Sequence, residues 1–288
     1  MTYDVLIIGA GPAGLSAAIQ CAARGKTALV IGNPPAQNPL QKAERVDNYL
    51  GLPGLTGGEL LERFTAHAAS TDGVTLLEGR ALTAMSMNGT FYLSVGSDVY
   101  EGRSLILTSG ITRARPYPGE EALMGKGLSY CATCDGMLYR GRDVVVVGLA
   151  QDAGLEAEML AQMGCRVTFV APKRPEELNE AIPFIKAVKL SILGTDKVEA
   201  VQTEAETIPC QGVFLLRDTV APTALFPALA TENSYIRVDR TMATNLPGIF
   251  AAGDCTGLPL QVSKAVGEGQ VAAHTATQWL DRQDKENP

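Results

Sequence analysis

The chain has 288 residues, of which 46% are hydrophobic and 30 are glycine, a composition typical of a soluble α/β protein. Its formal net charge of −7 argues against a nucleic-acid partner. No apolar run approaches the roughly 18 residues that a membrane span needs, and no basic segment precedes the first apolar run. The six cysteines are sparse, which suits a reducing compartment. We therefore expect a cytoplasmic protein of two domains that does not associate with membranes.

The first predicted unit is a βαβ motif that binds a dinucleotide. Residues 5–8 form an apolar run typical of a buried parallel strand, and Gly9-Ala10-Gly11-Pro12-Ala13-Gly14 follows directly. In such a turn the first glycine permits the sharp bend, the second lets a pyrophosphate approach the backbone, and the third lets the helix pack on the strand. The helix is predicted from Pro12 to about Arg24, and residues 27–31 form the next strand. A flavin or nicotinamide nucleotide is expected at the start of this helix.

The end of the second strand departs from the usual motif. An acidic residue normally stands there and holds a ribose hydroxyl, whereas this chain has Gly32-Asn33. We expect Asn33 to hydrogen-bond the ribose in its place, less strongly than a carboxylate does.

The most distinctive motif is Cys131-Ala-Thr-Cys134-Asp135-Gly136. Two thiols separated by two residues can close a small disulfide whose reduction and reoxidation transfers electrons. A zinc site is one alternative, but zinc prefers four ligands, and neither a second CxxC nor a Cys/His pair at finger spacing is present. His67 and His274 are far apart in sequence, so we predict no metal site. An inert disulfide in a turn is the other alternative.

A second βαβ motif follows the cysteines, with strands predicted at residues 143–147 and 165–170, but its nucleotide turn is altered. Ala150 replaces the second glycine and places a methyl group where a pyrophosphate should approach. Asp152 adds a negative charge at the start of the next helix, which stabilises the helix but repels a phosphate. Lys173 and Arg174 either hold the 2′-phosphate of NADPH or form an ordinary solvated pair. NADPH binding is therefore doubtful.

The C-terminal region predicts a strand that ends at Gly253-Asp254, followed by a closing helix over residues 264–280. An aspartate at the carboxyl edge of a strand can meet a ligand hydroxyl, although Asp254 can also be a simple turn residue. Cys255, next to it, either touches the ligand or fills space.

Taken together, these motifs in this order resemble the low-molecular-weight thioredoxin reductases over nearly the whole chain. The resemblance implies an α/β fold of two Rossmann-like, three-layer ββα domains. Residues 1–113 and 236–288 would form a discontinuous FAD-binding domain, and residues 114–235 an inserted domain with the CxxC motif. Thr108-Ser109-Gly110 and residues 240–248 match the two crossovers. The implied FAD contacts are Gly9, Ala10, Gly11, Pro12, Ala13, Gly14, Gly32, Asn33, Asn48, Ser109, Gly110, Gly253, Asp254, Gln261 and Val262.

Departures from that family point to one of its branches. Members that use NADPH carry an intact G-x-G-x-x-A turn and a paired-arginine motif, where this chain has Gly148-Leu-Ala-Gln-Asp-Ala153 and Ala171-Pro-Lys-Arg174. The inserted domain is also short. The pattern resembles the ferredoxin-dependent flavin thioredoxin reductases, which implies that ferredoxin donates electrons, that thioredoxin or a thioredoxin-like protein accepts them, and that the enzyme is a homodimer.

The resemblance also implies a role for each residue of the redox motif. Cys134 would contact the flavin, Cys131 would attack the target disulfide, and Asp135 would protonate a leaving thiolate. Because the dithiol must meet both partners, we expect the inserted domain to rotate about residues 111–115 and 236–245. An acidic ferredoxin would need a basic patch. The candidates for that patch are Arg113, Arg115, Arg140, Arg142, Lys173 and Arg174.

Other functions stay open at this point. One is an NADPH-dependent thioredoxin reductase with a divergent coenzyme site. Another is a reductase that serves a peroxiredoxin, although such proteins commonly carry an added N-terminal thioredoxin-like module and this chain begins at the FAD strand. The third, from a different class, is a non-catalytic redox sensor that binds flavin and reports potential through its dithiol.

Overall fold

The computed structural model describes residues 2–111, 116–150, 152–217 and 222–286. The chain divides into two compact units, of which the first comprises Met1–Thr112 and Thr219–Pro288 and the second comprises Arg113–Asp218. The return to the first unit thus lies at residue 219, earlier than the residue 236 predicted from the sequence. The physical reason is burial, because Leu225, Phe226 and Leu229 pack in one apolar cluster with core residues of the first unit.

Strands and helices follow one another along both units. The strands are β1 (Thr2–Ile8), β2 (Ala28–Gly32), β3 (Val74–Glu78), β4 (Ala81–Met87), β5 (Thr90–Val95), β6 (Asp98–Leu107), β7 (Leu128–Ser129), β8 (Asp143–Gly148), β9 (Arg166–Ala171), β10 (Phe184–Lys186), β11 (Leu190–Leu193), β12 (Ala200–Thr203), β13 (Thr207–Pro209), β14 (Gly212–Leu216), β15 (Thr231–Glu232), β16 (Tyr235–Ile236) and β17 (Ile249–Ala251). The helices are α1 (Pro12–Ala22), α2 (Gly57–Ala69), α3 (Glu120–Leu123), α4 (Ala132–Asp135), α5 (Ala153–Gln162), α6 (Pro222–Leu225) and α7 (Val262–Glu286). Short 3-10 turns span Pro35–Gln37, Pro39–Lys42, Gly136–Tyr139 and Asp254–Thr256.

The first unit is built on a seven-stranded sheet in the order β3-β2-β1-β6-β5-β4, with β17 paired to β6. Strands β1, β2, β3, β6 and β17 pair in parallel, and the antiparallel β4 and β5 extend the sheet beyond β6. Val5, Leu6 and Ile7 of β1 are completely buried because both faces of the sheet are covered. Each such side chain contributes about 1.5–3 kcal/mol of burial free energy. Alanines of α1 and α7 pack on one face.

The second unit has a five-stranded sheet in the order β10-β9-β8-β14-β7, in which every pair is parallel. Helix α5 packs with Val144 and Val146 of β8 in one apolar cluster. The alternate residues Val145 and Val147 pack instead with the antiparallel sheet β11-β12-β13. This alternation buries both faces of β8 and gives three layers, so the predicted fold class, two Rossmann-like α/β domains, is confirmed.

The predicted elements are present, with shifted ends. Helix α1 ends at Ala22 rather than near Arg24, and α7 extends from Val262 to Glu286, beyond both predicted ends. The C-terminal extension is held by Lys26, which pairs with Asp281 at 2.8 Å. None of the helices in the described part of the chain has both the length and the apolar character needed to cross a membrane.

Candidate active site

The turn between β1 and α1 has two glycines that the packing requires. Gly9 has φ +121°, and a Cβ atom there would lie 2.3 Å from the carbonyl oxygen of Thr108. A Cβ atom on Gly14 would lie 1.9 Å from the carbonyl oxygen of Gly9. Both distances are far below van der Waals contact, so side chains at these positions would force the helix away from the strand.

Gly11 differs, because the space around it is open. The nearest atom to a Cβ there would be Asn38 Nδ2, at 3.5 Å. Helix α1 starts at Pro12, its first turn has no acidic residue, and its N-cap residue is Gly11, which has no side chain to cap the helix. Unpaired amides at a helix N-terminus attract an anion. The turn therefore fits the pyrophosphate of a dinucleotide, with Gly11 as the point of close approach.

The end of β2 explains the missing acidic residue. A Cβ atom on Gly32 would lie 2.5 Å from the Cβ of Ala10, so this position has no room for a side chain. Asn33 follows and is half-buried. The structure thus brings Gly32 and Asn33 beside the glycine turn, and their contact with ribose stays a prediction.

The end of β6 adds an unsatisfied polar group. Ser109 Oγ is buried and has no hydrogen-bond partner among the described residues. A buried hydroxyl without a partner is unfavourable by roughly 1–3 kcal/mol, so a ligand that bonds it would be favoured. Gly110 follows with φ +68° and no atom within 4 Å of its Cβ position. Ser109 and Gly110 therefore lie where a ligand fits.

Gly253 and Asp254 follow β17, which pairs with β6, and so they lie at the same sheet edge as Ser109. A Cβ atom on Gly253 would lie 2.8 Å from the Cβ of Ala13, which brings this turn onto α1. Burial raises the pKa of the Asp254 carboxyl, and the positive charge of Lys264 opposes that shift. Asp254 is therefore placed, as predicted, at the carboxyl edge of a strand beside the nucleotide turn.

An ion pair that the sequence reasoning missed holds this turn. Lys264 Nζ donates hydrogen bonds of 2.8 Å to the carbonyl oxygens of Gly253 and Gly257, and it pairs with Glu268 at 3.1 Å. Glu268 Oε2 also accepts the Gly253 N–H at 2.9 Å. The four-residue spacing of Lys264 and Glu268 on the predicted helix could have indicated the ion pair. It did not show that both side chains turn back to the preceding loop.

Two predicted residues from distant parts of the chain meet at the start of α7. Asn48 Nδ2 donates a 2.8 Å hydrogen bond to Oε1 of Gln261, and Val262 is the first residue of the helix. The glycine turn, Ser109 and Asp254 lie at one edge of the first sheet, and Gln261 lies three residues before Lys264, which holds the Gly253 turn. The open space at Gly11 and the Ser109 hydroxyl, unpaired among the described residues, fit a flavin dinucleotide at this edge.

The redox motif lies on α4 in the second unit, where Cys131 and Cys134 form a disulfide with a Cα–Cα distance of 5.3 Å. The two sulfurs have different environments. Cys131 is buried, with 1% of its surface exposed, whereas Cys134 is exposed. The Cys134 N–H donates to Cys131 Sγ at 3.1 Å, and Thr133 Oγ1 lies 3.3 Å from the same sulfur. Attack on this disulfide from outside thus meets Cys134 and would release Cys131 beside two donors.

Asp135 is the last residue of α4 and is half-buried. Its N–H donates to the carbonyl oxygen of Cys131 at 3.3 Å. The pKa of the Tyr139 hydroxyl is raised, first by burial and then by the negative charge of Asp135. Its role as an acid for a leaving thiolate stays a prediction.

The second glycine turn lacks the open space of the first. A Cβ atom on Gly148 would lie 2.0 Å from the ring of Phe169, so this glycine serves packing. The N–H groups of Leu149 and Ala150 both donate to the carbonyl oxygen of Leu216, at 2.8 and 2.9 Å. These amides are therefore already engaged by the protein.

The segment after β9 covers the first turn of α5. Glu177 Cγ lies 3.2 Å from the Cβ position of Gly154, and Leu178 is buried in the cluster beneath. The Asn179 N–H donates to Glu158 at 2.9 Å. Arg174 donates to the Asn179 carbonyl oxygen at 2.8 Å and lies 5.6 Å from the centre of the Phe184 ring. Arg174, which was one of the two predicted candidates for holding the 2′-phosphate of NADPH, thus stabilises its own loop.

The candidates for the basic patch that the structure describes lie in two places. Arg140 and Arg142 are exposed just before β8, whereas the exposed Lys173 follows β9. Because β8 and β9 are parallel, these positions lie at opposite edges of the sheet. Arg113 and Arg115 lie outside the described residues. The four described candidates therefore do not lie together, and Arg140 with Arg142 forms the better candidate.

Two further observations concern other ligands. Among the described residues, no group of three histidine, cysteine, aspartate or glutamate side chains could hold a metal ion. The cysteines outside the redox motif, namely Cys21, Cys165, Cys210 and Cys255, are buried and free. Cys255 Sγ donates to the carbonyl oxygens of Ala252 and Leu107, at 3.3 and 3.4 Å, so its thiol is used within the core.

Comparisons with known proteins agree with these features. Residues 3–269 match the family model of the pyridine nucleotide-disulphide oxidoreductases. A thioredoxin reductase of Listeria innocua is 32% identical, with 97% of this chain and 94% of the relative covered. A ferredoxin-flavin thioredoxin reductase structure from Clostridium acetobutylicum has 38% identity and a TM-score of 0.88, covering 99% of both chains. A thioredoxin reductase structure from Gloeobacter violaceus has 30% identity and a TM-score of 0.78, covering 98% of this chain and 95% of the other. The chain therefore belongs to the pyridine nucleotide-disulphide oxidoreductase family and, within it, to the thioredoxin reductases.

Proposed function

We propose that this protein is an FAD-dependent reductase of thioredoxin, or of a thioredoxin-like protein, and that reduced ferredoxin rather than NADPH supplies its electrons. The observation that carries the choice of donor is the state of the second nucleotide turn. Its amides bond Leu216, and residues 177 and 178 cover the adjacent helix start. The similarity to a ferredoxin-flavin thioredoxin reductase of Clostridium acetobutylicum supports the same choice.

The two βαβ motifs provide an internal comparison for this argument. At α1 the first turn has no acidic residue, and a Cβ on Gly11 would meet only Asn38, at 3.5 Å. At α5 the N-cap residue is Asp152 and the first turn contains Glu156. Negative charge near a helix N-terminus stabilises the helix but disfavours a bound phosphate. We therefore assign FAD to the first turn and no nicotinamide coenzyme to the second.

The surface around Cys134 supports a protein as electron acceptor. Met137 and Leu138, directly after the redox motif, are 59% and 70% exposed. Exposed apolar side chains beside a reactive group favour docking of a partner that buries them. The curated relatives named thioredoxin reductase make thioredoxin the best candidate for that partner.

The proposed mechanism follows from the different environments of the two sulfurs. FAD, when bound, supplies the exchange between one-electron donors and two-electron thiol chemistry. The exposed Cys134 sulfur receives the electron pair, the S–S bond breaks, and Cys131 leaves as a thiolate that accepts the Cys134 N–H and faces the Thr133 hydroxyl. Two protons complete the dithiol, and we assign Asp135 to move one of them.

Transfer to the acceptor is a thiol–disulfide exchange. The Cys131 thiol gives up its proton and, as a thiolate, attacks one sulfur of the acceptor disulfide, forming a mixed disulfide. The other acceptor sulfur is released as a thiolate and takes up a proton. Cys134 then attacks Cys131, which restores the starting disulfide and frees the second acceptor thiol. Because Cys131 is 1% exposed in the disulfide form, it must be uncovered between these steps. We also infer, as expected from the sequence, that the inserted domain rotates so that the dithiol can meet both the flavin and the acceptor.

The choice of donor can be tested by anaerobic reduction with NADPH, NADH and reduced ferredoxin in parallel. We expect ferredoxin alone to bleach the flavin absorbance and to support thioredoxin reduction. A Cys134→Ser variant is the matched control, since its flavin should still be reduced by ferredoxin while thioredoxin is not. Rapid bleaching by NADPH, followed by turnover, would establish the NADPH-dependent alternative. Flavin reduction without turnover with any thioredoxin would favour the redox sensor.

A surface for the acidic donor is proposed at Arg140 and Arg142. Both are exposed, and they lie a few residues from the redox motif. We expect the double variant Arg140→Glu/Arg142→Glu to lower the association rate of ferredoxin steeply at low salt and less at high salt. Lys173→Glu, at the opposite edge of the sheet, is the control. Equal rates for the parent and the double variant would rule out this surface.

We also infer from the family resemblance that the enzyme is a cytoplasmic homodimer. Light scattering after size-exclusion chromatography would measure the mass directly. A mass near that of one 30.4 kDa chain would contradict the inference.

A further inference from the structure

A buried carboxylate in the second unit lies at the centre of a polar cluster that the mechanism above does not use. Glu120, the first residue of α3, is 2% exposed. Its two carboxylate oxygens pair with the guanidinium of Arg217, and the bond to Oε2 is 2.9 Å long. The Arg217 guanidinium also lies 5.3 Å from the centre of the Tyr117 ring.

The same carboxylate accepts two further hydrogen bonds. The hydroxyl of Tyr130 donates to Glu120 Oε1 at 2.7 Å, and the backbone N–H of Tyr117 donates to Oε2 at 2.8 Å. Burial, followed by the hydrogen bond to Glu120, raises the pKa of the Tyr130 hydroxyl, so this group stays a donor at neutral pH. Each of the two carboxylate oxygens therefore accepts two hydrogen bonds, and together these four bonds fix the position of the Glu120 side chain.

The cluster joins three separate stretches of chain. Tyr117 follows the point where the chain enters the second unit at Arg113, and Arg217 precedes its last residue, Asp218. Tyr130 is the residue directly before Cys131. One carboxylate thus ties the start and the end of the unit to the backbone of the redox motif.

We propose that Glu120 is a positioning residue for the redox dithiol, acting through the Tyr130 hydroxyl to hold the Cys131 backbone where its sulfur meets the Cys134 N–H. Two sets of bonds fix the Cys131 backbone. On one side, Tyr130 is held by Glu120. On the other, the Cys131 N–H donates to Ser129 Oγ at 3.0 Å, and that hydroxyl lies 3.3 Å from the Cys131 carbonyl oxygen.

The consequence appears when the disulfide opens. The covalent link no longer fixes the two sulfurs, so the Cys131 thiolate keeps its donors only if the backbone stays in place. Loss of the Tyr130 anchor should let the sulfur move away from the Cys134 N–H and the Thr133 hydroxyl. A thiolate that loses hydrogen-bond donors has a higher pKa and is less available at neutral pH.

The test uses the full-length protein with FAD bound, reduced, in a Cys134→Ser background, in which Cys131 is the one thiol of the motif. The pH dependence of its alkylation by iodoacetamide is followed by peptide mass spectrometry, which separates Cys131 from the other cysteines. We expect Tyr130→Phe to move the midpoint of this profile upward by about one pH unit, a tenfold change in the proton equilibrium. Glu120→Gln should move it in the same direction.

Tyr139→Phe is the matched control, because Tyr139 lies in the same unit and packs on Phe214 with ring centres 5.4 Å apart. It should leave the midpoint unchanged. If Glu120→Gln does not fold, Tyr130→Phe alone decides, since it leaves the Glu120–Arg217 pair intact. A lower melting temperature for Tyr130→Phe with an unchanged midpoint would reduce the cluster to a structural role and overturn the proposal.

The proposal rests on the thiol chemistry of the proposed function, but its test needs neither ferredoxin nor thioredoxin. An unchanged midpoint would therefore leave the donor and the acceptor untouched. A failure of ferredoxin reduction would, in turn, leave the alkylation profile as it is.

Discussion

The substitution Gly11→Ala separates ligand binding from folding at the first nucleotide turn. Gly11 has φ −89° and ψ −176°, values that an alanine adopts without strain. Its Cβ would meet only Asn38 Nδ2, at 3.5 Å, which is ordinary contact. The added methyl group therefore disturbs the protein little. It would project into the space assigned to the pyrophosphate.

The magnitudes follow from these contacts. Alanine is less favourable than glycine as an N-cap by roughly 0.5–1 kcal/mol. Reduced freedom of the unfolded chain offsets about 0.4–1 kcal/mol, so the free energy of unfolding of the apoprotein should change by less than about 1 kcal/mol. Crowding of a bound ligand by one methyl group costs about 1–3 kcal/mol. The dissociation constant of FAD should then rise about 5- to 150-fold.

The assay compares apoproteins in two measurements, urea unfolding followed by circular dichroism and FAD titration followed by quenching of flavin fluorescence. Gly14→Ala is the contrasting variant, because its Cβ would lie 1.9 Å from the Gly9 carbonyl oxygen. We expect it to destabilise the apoprotein by about 2 kcal/mol or more. If Gly11→Ala binds FAD as tightly as the parent, the pyrophosphate does not approach Gly11 and the site assignment is refuted.

Two further predictions concern buried ionisable groups. Burial raises the thiol pKa of Cys21, Cys210 and Cys255 to about 12, so the unfolded chain loses these protons first as pH rises. The free energy of unfolding should stay constant below pH ~8.5 and then fall towards pH 12, by up to about 1.4 kcal/mol per thiol per pH unit. The fall should be less steep in Cys255→Ala, and urea unfolding at a series of pH values would measure both slopes. Lys264→Met removes the donors to Gly253 and Gly257 and should weaken FAD binding about tenfold, whereas the exposed Lys285→Met should not.

The sequence predicted those parts of the site that lie on short, local motifs. The glycine turn after β1 and the CxxC pair are specified within a few residues, so their backbone geometry follows from residue type alone. The altered second turn was predicted for the same reason, because Ala150 and Asp152 stand at fixed positions of a known motif.

Features that depend on long-range packing were not predictable in this way. The return to the first unit was placed 17 residues too late, at 236 instead of 219, because burial of Leu225 and Phe226 is decided by the core they join. The difference in exposure between Cys131 and Cys134 is invisible in a symmetric C-x-x-C pattern. Arg174 was a candidate ligand by position, and its bonds to its own loop depend on how that loop folds back.

The two nucleotide turns show why one fold can retain a motif and lose its ligand. Both have a parallel strand, a glycine and a helix, and in both the first glycine is required by packing, against Thr108 at Gly9 and against Phe169 at Gly148. Packing alone therefore requires the first glycine of each turn, whether or not the turn binds a nucleotide. Binding depends instead on amides that stay available, and at Leu149 and Ala150 these amides bond Leu216.

A variant with glycine at position 150 would restore the sequence motif while leaving those bonds and the Glu177 cover in place. NADPH should consequently still fail to reduce the flavin of Ala150→Gly, and rapid reduction would show that the methyl group, rather than the engaged backbone, excludes the coenzyme.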